Sequence, residues 1–434
     1  MAQASPSRTH PLAALALVGA SLLVLMLVLE LAFVPLLPLL PRKLHVYLDP
    51  ALRPLAASSK RAALPHDYVA LVGDSYAQGR GDWLLESDSD ANGPYSSAHV
   101  LHAQTGRDVI SWGRGGAGVL TGWVAFPLIS WRALQPSWRT RLAPPALLIA
   151  FFYEGNDLED TVLELGGLRV LADPAFPEDA TQEQLIAGIG AQDHDTLLRE
   201  ARAREPAQLE SLVAERFVPF FQGQVGDPEP RWRPALYFPR FLAALVKGEV
   251  LRLLGRAPEW EWEGKGHFGR NRVRLEGQVV QVPGSLQGPG MQLSDEETDL
   301  TLQTADRALG LLAAAFPTSA LCVLRVPSPA GLYAFADQRV SVQGLRGAAD
   351  FPADAIRARS GELGARVNEI ALRHGALYVD ASPALRDAAA SSLIHGPRDW
   401  RHLNRRGQTV LGELAAQCLA SPAPAHRSAD AGSR

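Results

Sequence analysis

Apolar runs of strand length recur along this chain, and the stretches between them change to helical spacing. Tyr68–Val72, Asp108–Trp112, Ala146–Tyr153, Leu321–Val326 and Ala376–Asp380 read as strands. The third is apolar without alternation, the pattern of a parallel strand covered on both faces. Helices are expected over Thr181–Arg204, Ala207–Arg216, Arg240–Leu254, Ser294–Phe316 and Ala353–His374, and from Arg406 to Cys418. Ser294-Asp295-Glu296-Glu297 is a capping box, and Gly375 stops the helix that ends at His374. Arg272-Val273-Arg274-Leu275-Glu276-Gly277-Gln278-Val279 has the form of a hairpin closed by a Glu-Gly turn. Strands alternating with helices imply an α/β fold: a mostly parallel sheet with helices on both faces. Ligands of such sheets gather at the carboxyl ends of the strands.

The N-terminal pattern differs. Pro11 to Leu29 contains no charged residue, and beyond Glu30 the apolar character resumes to Leu40. About 20 apolar residues span a bilayer, whereas the apolar region of a cleaved signal peptide is about 7–15 long. No A-x-A-like cleavage site follows, since Pro35, Pro38 and Pro41 crowd the exit. The run is also apolar on all faces, unlike a half-buried helix. Residues 12–40 are therefore expected to form a retained single-pass anchor behind a short tail at 1–11. Residues 41–65 read as a linker, 66–160 and 291–420 as the α/β domain, 161–290 as an insertion or lid, and 421–434 as a disordered tail. Within the insertion, the apolar face of Phe241, Leu245 and Leu253 is expected to pack on the core, with contact to the membrane as the alternative.

Composition and motifs narrow the chemistry. The 434 residues carry a net charge of −4, which supplies no basic field for nucleic acid. Cys322 lies in an apolar run and Cys418 near the C-terminus, and neither has a C-x-x-C partner for zinc or dithiol redox chemistry. Two buried free thiols are expected, with a disulfide left open. Asp88-Ser89-Asp90-Ala91-Asn92-Gly93 copies the opening of a calcium loop, but the position that needs a bidentate glutamate holds His99. A solvated loop is expected there. Gly113, Gly115 and Gly118 follow a strand as G-x-G-x-x-G, yet Val119 to Tyr153 contains no acidic residue to hold a ribose. Neither a metal nor a cofactor is expected.

The strand exits carry what remains. Ser75 ends the stretch Val69-Ala70-Leu71-Val72-Gly73-Asp74-Ser75, and Tyr76-Ala77-Gln78 suit a helix start. A serine there would expose its hydroxyl above the positive end of a helix. Gly116 follows the second strand, Asn156 the third, and Asp399 and His402 the fifth. In that arrangement Ser75 is a nucleophile, His402 its base, and Asp399 the carboxylate that holds the imidazole. The backbone N–H groups of Ser75 and Gly116 and the amide of Asn156 would receive an oxyanion. Each residue has a plain alternative: Ser75 and Asp399 as helix caps, Asn156 as a turn residue, His402 as a histidine near a helix start. His374, at a helix end, is expected to be solvated, and the other histidines to lack a comparable carboxylate partner.

Together these residues resemble the SGNH/GDSL hydrolase family. Gly73-Asp74-Ser75 resembles its first block, and Gly116, in Ser111-Trp112-Gly113-Arg114-Gly115-Gly116, its second. Asn156 resembles the third block, and Asp399-Trp400-Arg401-His402 the last, D-x-x-H, over about residues 66–160 and 291–418. Two positions depart: Ser111 stands where the second block carries asparagine, and Gly155 directly precedes Asn156 where the third reads G-x-N-D. The resemblance implies a three-layer flavodoxin-like domain and a serine esterase or acyltransferase. Val326-Pro327-Ser328-Pro329 through Tyr333 is similar to membrane-linked relatives that handle O-acetyl groups on exported polysaccharides, which implies an acetylated glycan. Arg8 on one side of the anchor against Arg42, Lys43 and Arg53 on the other points the domain to the cytoplasm. The resemblance implies the outside, and an extracytoplasmic domain is the expectation. The expected function is a membrane-anchored serine esterase cleaving ester bonds, acetyl esters on carbohydrate foremost, with an ester-bearing small molecule or an acetylated glycan as its partner. An O-acyltransferase using the same residues and a catalytically silent carbohydrate-binding protein are the alternatives.

Overall fold

The computed structural model describes residues 11–82, 96–177, 180–192, 194–225, 236–254, 271–284 and 286–419. The calcium-like stretch at 88–93 and the tail at 421–434 lie outside them. The central sheet contains β1 (Tyr68–Val72), β2 (Asp108–Ser111), β3 (Leu147–Tyr153), β4 (Ala320–Val326) and β5 (Leu377–Asp380). They lie in the order β5-β4-β3-β1-β2, and every pairing is parallel. Chain direction across the sheet reverses between β1 and β3, the flavodoxin-like switch point, where a crevice opens at the carboxyl ends.

Burial explains the unbroken apolar runs. β1 and β3 are buried at every position. Ala70, Val72, Leu148, Ala150 and Phe152 join one hydrophobic cluster, while Val69, Leu71, Ile149 and Phe151 join a second. Alternate residues of each strand thus face opposite helical layers, and each large side chain buried this way contributes about 1.5–3 kcal/mol. This is a three-layer α/β/α domain.

β1 ends at a backbone only glycine tolerates. Gly73 has φ +138°, and a Cβ there would sit 3.0 Å from the carbonyl oxygen of Phe151. The expected helix start after Ser75 is replaced by a compact turn. Gln78 N–H donates to Asp74 O at 3.1 Å, Arg80 N–H reaches Ser75 O at 2.9 Å, and Gly79 closes the turn at φ +79°. Gly113 packs directly on it, since a Cβ at 113 would meet Gln78 N at 2.2 Å. The position of Ser75 at the strand exit therefore comes from a glycine-bounded turn and not from a helix end.

Other expectations are also revised. Residues 41–65 do not form a loose linker: Leu52, Leu55 and Ala56 are buried in the first cluster. The edge of the sheet extends through Ser59, whose carbonyl accepts the Val109 N–H at 2.8 Å. The stretch Thr181–Arg204 divides into the helices Gln182–Gly190, which Thr181 caps, and His194–Ala203. The boundary expected at 160 falls inside the helix Asp157–Ala172. Leu185, Phe217 and Phe241 from the 161–290 stretch share the first cluster with the sheet. Asn271–Leu275 and Gln278–Val282 form an antiparallel hairpin with Glu276 and Gly277 both at positive φ. Cys322 and Cys418 are joined in a disulfide rather than left as free thiols. β4 and the C-terminal helical segment bring them together, a proximity that no local spacing encodes.

A buried ion pair sits at the carboxyl end of β3 and β4. Arg325 pairs with Glu154 and, at 3.0 Å, with Asp380, and its guanidinium also donates to Ser382 Oγ at 2.7 Å. Glu154 accepts the Ser328 N–H at 2.8 Å. Both Arg325 and Glu154 are almost fully buried. Removing one partner strands a buried charge. Arg325→Met should therefore lower unfolding stability by about 3–5 kcal/mol in urea titration. Exposed Arg373→Ala should change it by less than about 0.5 kcal/mol, and equal small losses from both would contradict the assignment.

Candidate active site

Three exits from the sheet supply the side chains of one cleft, about 320 Å³ in volume and lined by Ser75, Gly116, Asn156 and His402 among others. Ser75 follows β1 through the Gly73 turn. Asn156 follows β3 and begins the helix Asp157–Ala172. His402 comes from the segment between β5 and the helix Arg405–Ala415. His402 Nε2 lies 2.7 Å from Ser75 Oγ, and its Nδ1 lies 2.6 Å from Asp399 Oδ2. All three residues are buried. The plain helix-cap alternatives for Ser75 and Asp399 do not describe these contacts, because the helix Arg405–Ala415 is capped by Asn404, which accepts from Arg406 N and Gly407 N.

The carboxylate is held from both sides. Asp399 Oδ1 accepts the N–H groups of Arg401 at 2.9 Å and His402 at 3.2 Å. The Asp399 N–H in turn donates to Asp82 Oδ1 at 2.7 Å, as does the Arg398 N–H at 2.9 Å. The imidazole lies near the Tyr76 ring, with centroids 5.6 Å apart, and Tyr76 stacks on Tyr153 at 4.1 Å. Tyr76 Oη donates to Arg401 O at 2.9 Å, tying the β1 exit to the histidine segment. Asp74 accepts the Tyr76 N–H at 2.8 Å, and its Oδ2 lies 3.2 Å from Ser75 Oγ, a longer contact than the 2.7 Å to His402 Nε2. Burial pushes the Asp74 carboxyl above its usual range, opposed by the Tyr76 N–H and by His402.

On the far wall, Asn156 Nδ2 donates to Asp160 Oδ2 at 2.7 Å. One amide hydrogen is used there, and the other belongs to the same nitrogen on the cleft wall. Its Oδ1 is buried and has no hydrogen-bond partner among the described residues. Gly116, at φ +71°, faces the cleft from the loop after β2. Ser111 takes the place of the asparagine in the resembled block, and its hydroxyl donates to Ala77 O, bracing the turn that carries Ser75.

Several residues of the site were not among the expected ones. Asp160 lies four residues after Asn156 on a helix, a spacing that puts the two on one face and could have disclosed it. Asp82, distant in sequence from Asp399, left no such signal. His374 does have a carboxylate partner, Asp306 Oδ1 at 2.9 Å. It leads into the amino-terminal end of β5, away from the crevice. Among the described residues no cluster of histidine, cysteine and carboxylates suited to a metal is found.

Burial and the negative charge of Asp74 push the Asp160 carboxyl up from 3.8 to about 7, against the opposing hydrogen bond from Asn156 and the charge of Arg401. The folded state then binds this proton more tightly than the unfolded chain. The stabilisation is present at low pH and is lost as pH rises from about 4 through about 7. Asp160→Asn removes that proton. The melting temperature of the native protein relative to this variant should fall across that window and be level on either side. A difference that is flat with pH would contradict the elevated proton affinity.

No protein-family model matches the chain, and no curated protein matches it. Among solved structures it is similar to a phospholipase A1 from Streptomyces albidoflavus NA297 and to an extracellular lipase from Streptomyces rimosus. Each is 14% identical with a TM-score of 0.34, over 82% of this chain and 99% and 100% of theirs. A likeness at that score decides neither family nor chemistry.

Proposed function

We propose that the protein is a membrane-anchored serine esterase that removes a short acyl group, such as acetyl, from a polar carrier such as a glycan. The observation that carries this reading is the hydrogen-bonded series Ser75 Oγ, His402 Nε2 and Nδ1, Asp399 Oδ2, with contacts of 2.7 and 2.6 Å. Ser75 Oγ attacks the ester carbonyl and passes its proton to His402, while Asp399 stabilises the imidazolium. The tetrahedral oxyanion is received by backbone N–H groups of Ser75 and Gly116 and by the Asn156 amide. His402 then returns the proton to the leaving alcohol, which departs as the acyl–Ser75 ester forms. Water attacks that ester with His402 as base, releasing the acid and restoring the serine hydroxyl.

The lining of the cleft supports a polar substrate. Among the described residues it includes Arg80, Glu159, Gln287, Gln343 and Arg401, one aromatic side chain, Tyr153, and no aliphatic one. A long acyl chain would find no apolar trough there, whereas an acetyl group on a sugar leaves polar partners for the sugar hydroxyls. The disulfide between Cys322 and Cys418 supports an oxidising compartment, and with it an extracytoplasmic domain, over the basic-residue count that pointed inward. The N-terminal segment Ala13–Leu39, formed by the helix Pro11–Leu36 and the turn after it, is long and apolar enough to cross a bilayer. The same residues would serve an acyltransferase if a glycan hydroxyl replaced water at the acyl-enzyme.

Hydrolysis of p-nitrophenyl acetate by the full chain tests the reading. Ser75→Ala and His402→Ala should each lower kcat by roughly 10⁵–10⁶-fold, and unaltered turnover would contradict the proposal. Asn156→Ala should lower kcat by about 10²–10³-fold with little change in KM, and a loss confined to KM would remove Asn156 from the oxyanion site. An acetyl group that passes from Ser75 to an added glycan hydroxyl in preference to water would assign the transferase.

A further inference from the structure

The helix Tyr237–Leu253 is apolar on two sides, and the described residues cover only one of them. On the inner side Phe241 is buried, and Tyr237, Phe238 and Leu245 pack against the first hydrophobic cluster. The N-terminal helix Pro11–Leu36 docks on that side. Phe33 meets Phe238 and Phe241 with ring centroids 5.7 and 5.3 Å apart. Glu30, the single charge of the apolar helix, is buried in the contact and pairs with Arg139. Its carboxylate also accepts the N–H groups of Tyr237 at 3.1 Å and Phe238 at 2.7 Å. A carboxylate at a helix N-terminus satisfies donors the helix leaves open and complements its dipole. The start of the second helix is therefore locked to the last turns of the first.

On the outer side Leu242, Val246, Val250 and Leu253 follow one another at spacings of four, four and three. They are 39%, 55%, 49% and 77% exposed. Single exposed leucines are ordinary, but a stripe at helical spacing is a patch that needs an occupant. What fits it follows from its neighbour. The stripe starts beside the helix whose own surface is exposed and apolar, including Leu22, Leu27 and Leu31. Lys247 borders the stripe, where an ammonium can reach anionic headgroups while its stem lies along the apolar face.

We propose that the helix Tyr237–Leu253 lies in the membrane surface, with Leu242, Val246, Val250 and Leu253 sunk into the headgroup–acyl boundary. The proposal rests on reading Pro11–Leu36 as a bilayer span. A lone tether would give one point of attachment about which the domain swings. Two attachments, joined through Glu30, fix the tilt of the domain and hold the mouth of the cleft at a set orientation to the lipid.

Single-cysteine variants of the full chain test this, because Cys322 and Cys418 are already paired. Val246→Cys, Val250→Cys, Leu22→Cys and Leu372→Cys would each carry an environment-sensitive fluorophore in phosphatidylcholine–phosphatidylglycerol vesicles with nitroxide lipids. Leu22 reports the span, and Leu372, exposed on the helix Ala353–Arg373, reports water. Labels at 246 and 250 should lose most of their emission to a shallow nitroxide, consistent with a depth of about 5–10 Å, while the label at 372 keeps its own. Quenching at 22 with none at 246 and 250 overturns the surface helix and leaves the span intact. No quenching at 22 overturns the span and the proposal together. A blue-shifted but unquenched label at 246 means that protein, not lipid, covers the stripe, and also overturns it.

Discussion

A hydrogen bond of 2.7 Å between Ser75 Oγ and His402 Nε2 joins residues 327 apart in sequence, and the rest of the molecule can be understood as what makes that contact possible. Neither side chain can reach the other from its own segment. The parallel sheet brings both segments to one edge, and the reversal of strand order between β1 and β3 opens the crevice between them. Gly73 then turns the chain out of β1 where any larger residue would strike Phe151. The Tyr76 hydroxyl reaches the backbone of Arg401 and fixes the distance from the other side.

The surroundings of that contact are built from groups that are costly to bury and therefore have few arrangements. Asp82 holds the backbone of Arg398 and Asp399, and Asp399 holds the histidine. Behind them Glu154 and Arg325 neutralise each other under the floor formed by β3 and β4. A buried charge removed from its partner is destabilising, so each pair constrains the positions of the next. The same principle recurs at the N-terminal helix, where Glu30 is tolerated in an apolar segment because Arg139 and the N-terminus of the Tyr237–Leu253 helix receive it.

The sequence disclosed what depends on local pattern. Strands buried on both faces read as unbroken apolar runs, so β1 and β3 were legible, and the residues at their exits stood out because polar groups end an apolar segment. What depended on distant pairing was silent. Asp82 meets the backbone of Asp399 across 317 positions, and Glu154 meets Arg325 across 171. Cys322 and Cys418 lie 96 apart, with no spacing rule to join them. Tyr76-Ala77-Gln78 has helical composition, whereas the course of the turn after Ser75 is set by Gly79 and by the packing of Gly113 on Gln78. Residues 41–65 have the proline and alanine content of a linker, yet Leu52 and Leu55 are enough to draw the segment into the core.

The proposed reaction requires that one serine hydroxyl be activated by one histidine. Labelling of the full chain with a fluorophosphonate probe, followed by peptide mass analysis, measures this directly. The expected result is a single modified serine, Ser75, and loss of the label in His402→Ala although the fold is retained. Label on a different serine, or undiminished label at Ser75 without the imidazole, would contradict it.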